Sequence, residues 1–284
     1  MKQVNAQSIA KFCLHEEKYY EVQLQSTEHR LAILSQWDIP EGARVLELGC
    51  GQGDCTAVLA ELVGPQGHVT AVDPGASDYG YPFTLQQAQN HLSSGTLGDR
   101  ISWKQALPTD FLQSDKEQYD IAVLVLCTWY FGSPAVLAET LSALASKAKR
   151  VLIAEWSLSD GRAPTHVLAV LAQAALECRK PTSVSNVRTL FTASTIEAAA
   201  IAAGLKLENS SVMATAPNVL DGSWEVQEVM AEGFANDIEK YIGDEREKYM
   251  VRSLREATLG SLESVGGTKK VKAMDVWCGT FVKA

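Results

Sequence analysis

The sequence has no run of about 18 apolar residues, so it offers no segment that would cross a membrane as a helix. Its first residues lead into a charged stretch and lack the apolar centre of a secretory signal. Zinc spacing is missing as well. The six cysteines (Cys13, Cys50, Cys55, Cys127, Cys178 and Cys278) are scattered, with no Cys-x-x-Cys pair and no Cys/His cluster. They read as reduced thiols, and the expected location is cytoplasmic. No grouping of acids and amides marks a divalent metal site, so no metal is expected. Basic charge is in short supply: 25 Lys and Arg against 34 Asp and Glu leave a net charge of −9. Without a dense Lys/Arg stripe, nucleic acid is excluded as a principal partner, because phosphate neutralisation dominates that affinity. A small-molecule partner is expected, with neither nucleic acid nor membrane. Hydrophobic residues make up 46% of 284, enough to bury the core of one large domain, or of one domain with an insertion.

What the sequence does contain is concentrated in residues 43–60. An apolar, β-prone run, Val45 to Leu48, enters a turn with glycines at alternate positions, Gly49, Gly51 and Gly53, and a stretch with helical apolar spacing leaves it near Asp54. This is strand, loop, helix. Glycines let such a loop take positive φ and let a ligand approach closer than a Cβ would allow. The helix that follows points its free N–H groups and positive dipole end at whatever lies over the loop. A dinucleotide fingerprint needs Gly-x-Gly-x-x-Gly, which would put a glycine where Asp54 stands. Glu47, at the end of the first strand, also suits a cation better than a pyrophosphate. A second acid, Asp73, lies 20 residues past Gly53 and ends the next β-rich run, residues 68–72. There a carboxylate can accept two hydrogen bonds from a ribose diol. Capping a helix that starts at Pro74 is the competing role.

Glu47-x-Gly49-x-Gly51-x-Gly53 with Asp73 resembles the first two motifs of the class I S-adenosylmethionine-dependent methyltransferases. Residues 19–30 together with 78–84 are similar to a group of fungal small-molecule methyltransferases of the natural-product type. The resemblance covers about residues 40–214 and the last strand. It implies S-adenosyl-L-methionine as cofactor, with the glycine loop under its methionine part, Glu47 facing its amino end, and Asp73 and Pro74 at the ribose. In such enzymes an acid or amide after the third strand often meets the adenine. Here the acid is absent or displaced to Asp110, which leaves Gln105 or the backbone at Ala106 and Leu107 for that contact. Tyr20 is the aromatic residue expected to fold over the cofactor, and His29 is expected beside its carboxylate. Cys127, after the fourth strand, completes the cofactor set.

The fold class expected is α/β: a doubly wound, mostly parallel seven-stranded sheet of the Rossmann-like methyltransferase type, with N-terminal helices and a helical insertion before the last strand. Strands are read at residues 45–48, 68–72, 100–104, 119–126, 151–156, 205–213 and 271–282. The run at 119–126 is nearly all apolar, as in a strand buried on both faces. Helices are expected at 5–24, 27–37, from Asp54, at 84–92, from a Ser133 cap with Pro134 at its first position, and at 162–179. A capping box at Ser194 and Glu197 should open another. The division expected is an N-terminal helical lid (1–38), a methyltransferase core (39–214), a helical cap (215–270) and the last core strand (271–284). Phe234, Ile238, Tyr241, Ile242, Tyr249 and Leu254 give the cap an amphipathic helical pattern. A homodimer surface using the same apolar face is the rival reading.

Methyl transfer is an in-line displacement at a sulfonium methyl, so the protein mainly aligns the reactants and excludes water. A base is needed only for an acceptor protonated at working pH. Glu155, Asp160 and His166 are the candidates at the right edge of the sheet, with Glu155 and His166 preferred. Trp129, Tyr130, Trp156 and Trp224 are the expected walls of the acceptor pocket. The Asn/Asp-Pro-Pro-Tyr/Phe pattern of enzymes acting on base or glutamine amides is absent after the fourth strand, which turns the reading away from those acceptors. An oxygen or nitrogen of a small organic molecule is expected to receive the methyl. The alternative is an S-adenosylmethionine-binding fold with a regulatory or rearranging role.

Overall fold

Alternating apolar strands and amphipathic helices dictate the architecture, and the computed structural model describes residues 4–159, 161–183 and 185–284 of it. Seven strands form one sheet: β1 (Arg44–Leu48), β2 (His68–Asp73), β3 (Ile101–Gln105), β4 (Tyr119–Val125), β5 (Ala148–Trp156), β6 (Leu205–Met213) and β7 (Val276–Lys283). Their spatial order is β3-β2-β1-β4-β5-β7-β6. Pairs from β3 to β5 are parallel, whereas β7 runs antiparallel between β5 and β6. The mostly parallel sheet expected from the sequence is therefore present. Strand order reverses between β1 and β4, the place where open α/β sheets hold ligands beyond the carboxyl ends of their strands. Leu46, Leu48, Ile121 and Leu124 are fully enclosed on the two central strands, because helices cover both faces of the parallel part.

The helices are α1 (Ala6–Ala10), α2 (Tyr20–Leu34), α3 (Asp54–Val63), α4 (Leu85–Ser94), α5 (Pro108–Ser114), α6 (Pro134–Lys147), α7 (Pro164–Glu177), α8 (Ala193–Ala202), α9 (Asp221–Met230), α10 (Glu232–Tyr241) and α11 (Glu245–Val265). Ser133 caps α6 through Val136 N–H with Pro134 at the first position, as its residue order dictates. Other boundaries differ from expectation. Instead of helices at 5–24 and 27–37, one continuous helix runs from Tyr20, and α1 stops after five residues. The capping box of α8 is Thr192 with Thr195, two residues ahead of the expected one, because the threonine hydroxyls reach the free N–H groups first. The last strand begins at Val276, since residues 268–270 form a helical turn.

Between β6 and β7, α9, α10 and α11 pack on α7 around a second hydrophobic cluster. Val226, Phe234, Ile238 and Val251 meet Ala172 and Leu176 there. Phe234, Ile238 and Ile242 spend their apolar faces inside the chain, whereas Tyr249 is 65% exposed. At the other end, Gln23 of α2 donates to Asp54 Oδ1 at 2.6 Å, which ties the N-terminal helix to the first turn of α3.

Candidate active site at the carboxyl ends of the strands

The loop from β1 to α3 has all three glycines at positive φ, +78°, +52° and +99° for Gly49, Gly51 and Gly53. At Gly49 no side chain fits, because a Cβ would lie 2.5 Å from Cys127 Cβ. At Gly51 a Cβ would have no atom within 4 Å. The loop therefore leaves an empty cradle above Gly51. Asp73 holds the cradle in shape: its Oδ2 accepts from Gly51 N–H at 2.8 Å and its Oδ1 from Gly75 N–H at 2.7 Å. It caps no helix, since α4 is capped by Thr84. Two accepted bonds leave lone pairs on both oxygens. Across the neighbouring strand end, Ala106 N–H donates to Asp73 O at 3.1 Å, with Pro74 and Leu107 exposed beside it. Gly49, Gly51, Asp73, Pro74, Ala106 and Leu107 thus gather at one place.

Glu47 behaves differently from expectation. Its carboxylate is 2% exposed and accepts from Thr56 Oγ at 2.6 Å, under the loop instead of over it. A strand residue facing the first turn of α3 has its nearest donor there. Burial pushes its pKa up to about 7, partly offset by Thr56 and Cys55. Cys127 is also turned inward, with Sγ 3.2 Å from Leu48 O. Tyr20 opens α2, with its hydroxyl donating to Gln7 O at 3.3 Å and its ring tilted against His15.

A second group surrounds a cavity of about 190 Å³ beyond β4 and β5. Trp129, Tyr130, Glu155, Trp156, His166 and Trp224 line it, together with Arg30, Leu126 and Asp221. Leu126 has φ +51°, a strained state for a branched side chain costing about 1–3 kcal/mol. No local pattern announces it. Trp156 carries His29 stacked on it, with centroids 5.4 Å apart and planes at 14°, and meets His166 in a T-shaped contact at 5.4 Å. His29 is 4% exposed, and burial followed by the neighbouring Arg30 charge pushes its pKa down to about 3. A neutral imidazole offers a carboxylate no charge. Arg30, one residue further along α2, is a cation lining the cavity, and its charge favours the ionised forms of Glu47 and Asp221. Sequence spacing pointed to His29 because a histidine draws notice; Arg30, on the same turn, carried the same signal.

Glu155 is enclosed by donors. Oε2 accepts from Thr128 N–H at 2.9 Å, Thr128 Oγ at 2.7 Å and Trp129 N–H at 3.4 Å, while Oε1 accepts from Trp156 N–H at 3.0 Å. The carboxylate ties the loop after β4 to the end of β5. His166 Nδ1 accepts from Met274 N–H at 3.0 Å, which identifies the neutral ring with its proton on Nε2 and joins α7 to the segment before β7. Trp129 donates its indole N–H to Phe191 O at 2.9 Å. Asp160, the third base candidate, lies outside the described residues.

Burial raises the Glu155 pKa from 4.5 to about 7, against the pull of its hydrogen bonds. The folded state therefore binds this proton more tightly than the unfolded chain does. The stabilisation is complete below pH 4.5, lost as pH rises toward 7, and absent above. Urea unfolding of Glu155→Gln should show a shallower fall of stability with pH across this window, the difference reaching about 2–3 kcal/mol. Parallel pH profiles for the two proteins would mean that the loop accommodates the charge.

A methyltransferase domain model matches residues 17–210, more than half of the chain. The chain belongs to that family. This methyltransferase is 26% identical to Methyltransferase phomM' of Diaporthe leptostromiformis, over 94% of its own length and 86% of that protein. Its structure is similar to a cyclopropane-fatty-acyl-phospholipid synthase-like protein from Lactobacillus casei, with a TM-score of 0.85, 30% identity and 98% of each chain covered. Mitomycin 7-O-methyltransferase shares the fold alone, at 15% identity and TM-score 0.50, over 74% of this chain and 57% of that one. The methyltransferase is of the S-adenosylmethionine-dependent kind, and among its described residues no helix is long and apolar enough to cross a membrane.

Proposed function

We propose that this methyltransferase binds S-adenosylmethionine over the glycine loop and transfers the methyl to an oxygen or nitrogen of a small organic molecule. The observation that carries this is the open cradle at Gly51, latched by Asp73, together with a cavity lined by Leu126, whose chain neighbour Cys127 packs on Gly49 at the start of that loop. The cofactor fits the residues present. Asp73 would receive the ribose hydroxyls, the Ala106–Leu107 backbone would border the adenine, and Arg30 would receive a carboxylate. When bound, S-adenosylmethionine supplies a sulfonium methyl with its leaving group attached.

The chain's own residues align and enclose. Glu47 braces the loop through Thr56, and Glu155 and His166 hold the cavity wall by the bonds described above, which suits positioning better than proton transfer. Tyr130 and Trp224, 46% and 48% exposed, offer faces to an acceptor. Glu225 is the carboxylate best placed to take a proton from a protonated acceptor: it borders the cavity, and burial raises its pKa to about 7. Small natural products are the acceptor class favoured by the resemblance of residues 19–30 and 78–84 to fungal small-molecule methyltransferases. A phospholipid headgroup is disfavoured by the carboxylates around the cavity, which would repel its phosphate.

Incubation with trideuteromethyl S-adenosylmethionine and a panel of small amines, phenols and alcohols should label acceptors on oxygen or nitrogen, read by mass spectrometry. Tight binding of S-adenosylhomocysteine with label on none of them, or on carbon only, would overturn the acceptor reading. We further propose that residues 4–38 and 215–270 cover the site. Segments that open for substrate should be less stable locally than the sheet. Hydrogen exchange across residues 221–262 and α2 should slow when S-adenosylhomocysteine and an acceptor are added together. Exchange there that follows protein concentration and ignores both ligands would make these segments an interface between copies.

A further inference from the structure

Glu155, Asp221 and Glu225 all line the cavity beyond β4 and β5. Two of these carboxylates are engaged. Glu155 is enclosed by the donors described above, and Glu225 Oε2 accepts from Gln173 Nε2 at 2.7 Å. The Asp221 carboxylate bonds no other side chain among the described residues. Its position is nevertheless well fixed. Asp221 is the first residue of α9, where the N-terminal end of a helix favours negative charge. Beside it, Gly222 packs so closely on the segment before β7 that a Cβ would lie 2.8 Å from Lys272 O. The carboxylate is thus presented from an anchored helix end.

Arg30 lines the same cavity, and among the described residues its guanidinium makes no ion pair or hydrogen bond. Burial raises the Asp221 pKa, the Arg30 charge pulls it down, and the charge of Asp54, which follows Gly53 at the start of α3, pushes it up. Asp221 therefore stands near both the cation of α2 and the end of the glycine loop. A guanidinium and a carboxylate that share a cavity without pairing each lack a partner, which is costly for a partly enclosed charge. A ligand carrying both signs satisfies the two together. The amino-acid end of S-adenosylmethionine is such a group, with its ammonium and carboxylate on one carbon. Glu47, the acid expected to meet that ammonium, is turned under the loop and accepts from Thr56 at 2.6 Å.

We propose that Asp221, carried by the helical segment between β6 and β7, holds the ammonium of the cofactor's amino-acid end while Arg30 holds its carboxylate. The proposal rests on the reading of the glycine loop as the cofactor site. It makes α9 part of that site, so that the cofactor itself draws the helical segment onto the sheet.

Calorimetric titration of three probes tests the assignment: S-adenosylhomocysteine, its analogue without the α-amino group, and methylthioadenosine, which lacks the amino-acid end altogether. Wild-type protein should bind the analogue without the amino group about tenfold more weakly than S-adenosylhomocysteine, the value of one charge-assisted hydrogen bond. Asp221→Asn keeps the size of the side chain and should weaken S-adenosylhomocysteine by about tenfold, while the other two probes stay within about twofold of wild type. In wild-type protein, amide exchange across α9 should be slower with saturating S-adenosylhomocysteine than with saturating methylthioadenosine. Equal losses for all three probes in the variant would make Asp221 a structural residue and overturn the proposal. Unchanged affinity of the variant for S-adenosylhomocysteine, or equal exchange of α9 with the two ligands, would overturn it as well. Failure of wild-type protein to bind either S-adenosylhomocysteine or methylthioadenosine would instead remove the reading of the glycine loop on which it rests.

Discussion

Gly51→Val should bind S-adenosylhomocysteine at least about a hundredfold more weakly than wild type, a loss of about 2.7 kcal/mol or more, while remaining folded. Two facts separate the effects on ligand and fold. A Cβ at this position meets nothing within 4 Å, so the added side chain enters the open cradle without a backbone collision at its root. The φ of +52° is unfavourable for a β-branched residue, which costs about 1–2 kcal/mol and should lower the melting temperature by several degrees. Gly49 provides the contrast. There the Cβ would collide with Cys127, so loss of binding in a Gly49 variant would report on packing of the strand ends. Titration of folded Gly51→Val with S-adenosylhomocysteine is the measurement, and affinity equal to wild type would remove the cradle from the proposed site.

Asp73→Ala should weaken the same ligand by about a hundredfold or more. Charge-assisted hydrogen bonds from two ribose hydroxyls contribute about 1.5–3 kcal/mol each. The substitution also strands the Gly51 and Gly75 amides, whose acceptor is this carboxylate. The loop that forms the cradle would lose its latch along with the ribose contact. Asp73→Asn separates the two losses, because its carbonyl oxygen can keep one amide bonded while the charge is gone; an intermediate loss of about tenfold is expected. An affinity within twofold of wild type for Asp73→Ala would leave the residue a loop brace with no part in binding.

Much of the fold was legible because it is encoded by local spacing. The run of β-prone residues before Gly49, the alternate glycines and the helical pattern after Asp54 each act over a few residues, and β1, the loop and α3 formed where that pattern placed them. Ser133 and Pro134 opened α6 for the same reason. Boundaries shifted where two local signals competed, as at α8, where Thr192 and Thr195 formed the box ahead of Ser194 and Glu197.

The sequence by itself determined the alternating α/β order, the glycine turn, the acid at the end of β2 and an amphipathic segment before the last strand. Only the tertiary structure decided which way the carboxylates turn. Glu47 and Glu155 stand at strand ends, where sequence reading puts them in a ligand's reach, yet both face donors brought by other elements, Thr56 from α3 and Thr128 from the loop after β4. His29, expected beside a carboxylate, is kept neutral by burial against Trp156, which the sequence could not show. How α7, α9 and α10 come together could not be read in advance, since they meet only when the chain between β6 and β7 folds back onto residues far earlier in the sequence. Spacing reports what a backbone does with its neighbours; the partner of a side chain, and hence its charge and its work, depends on packing between segments that no local pattern connects.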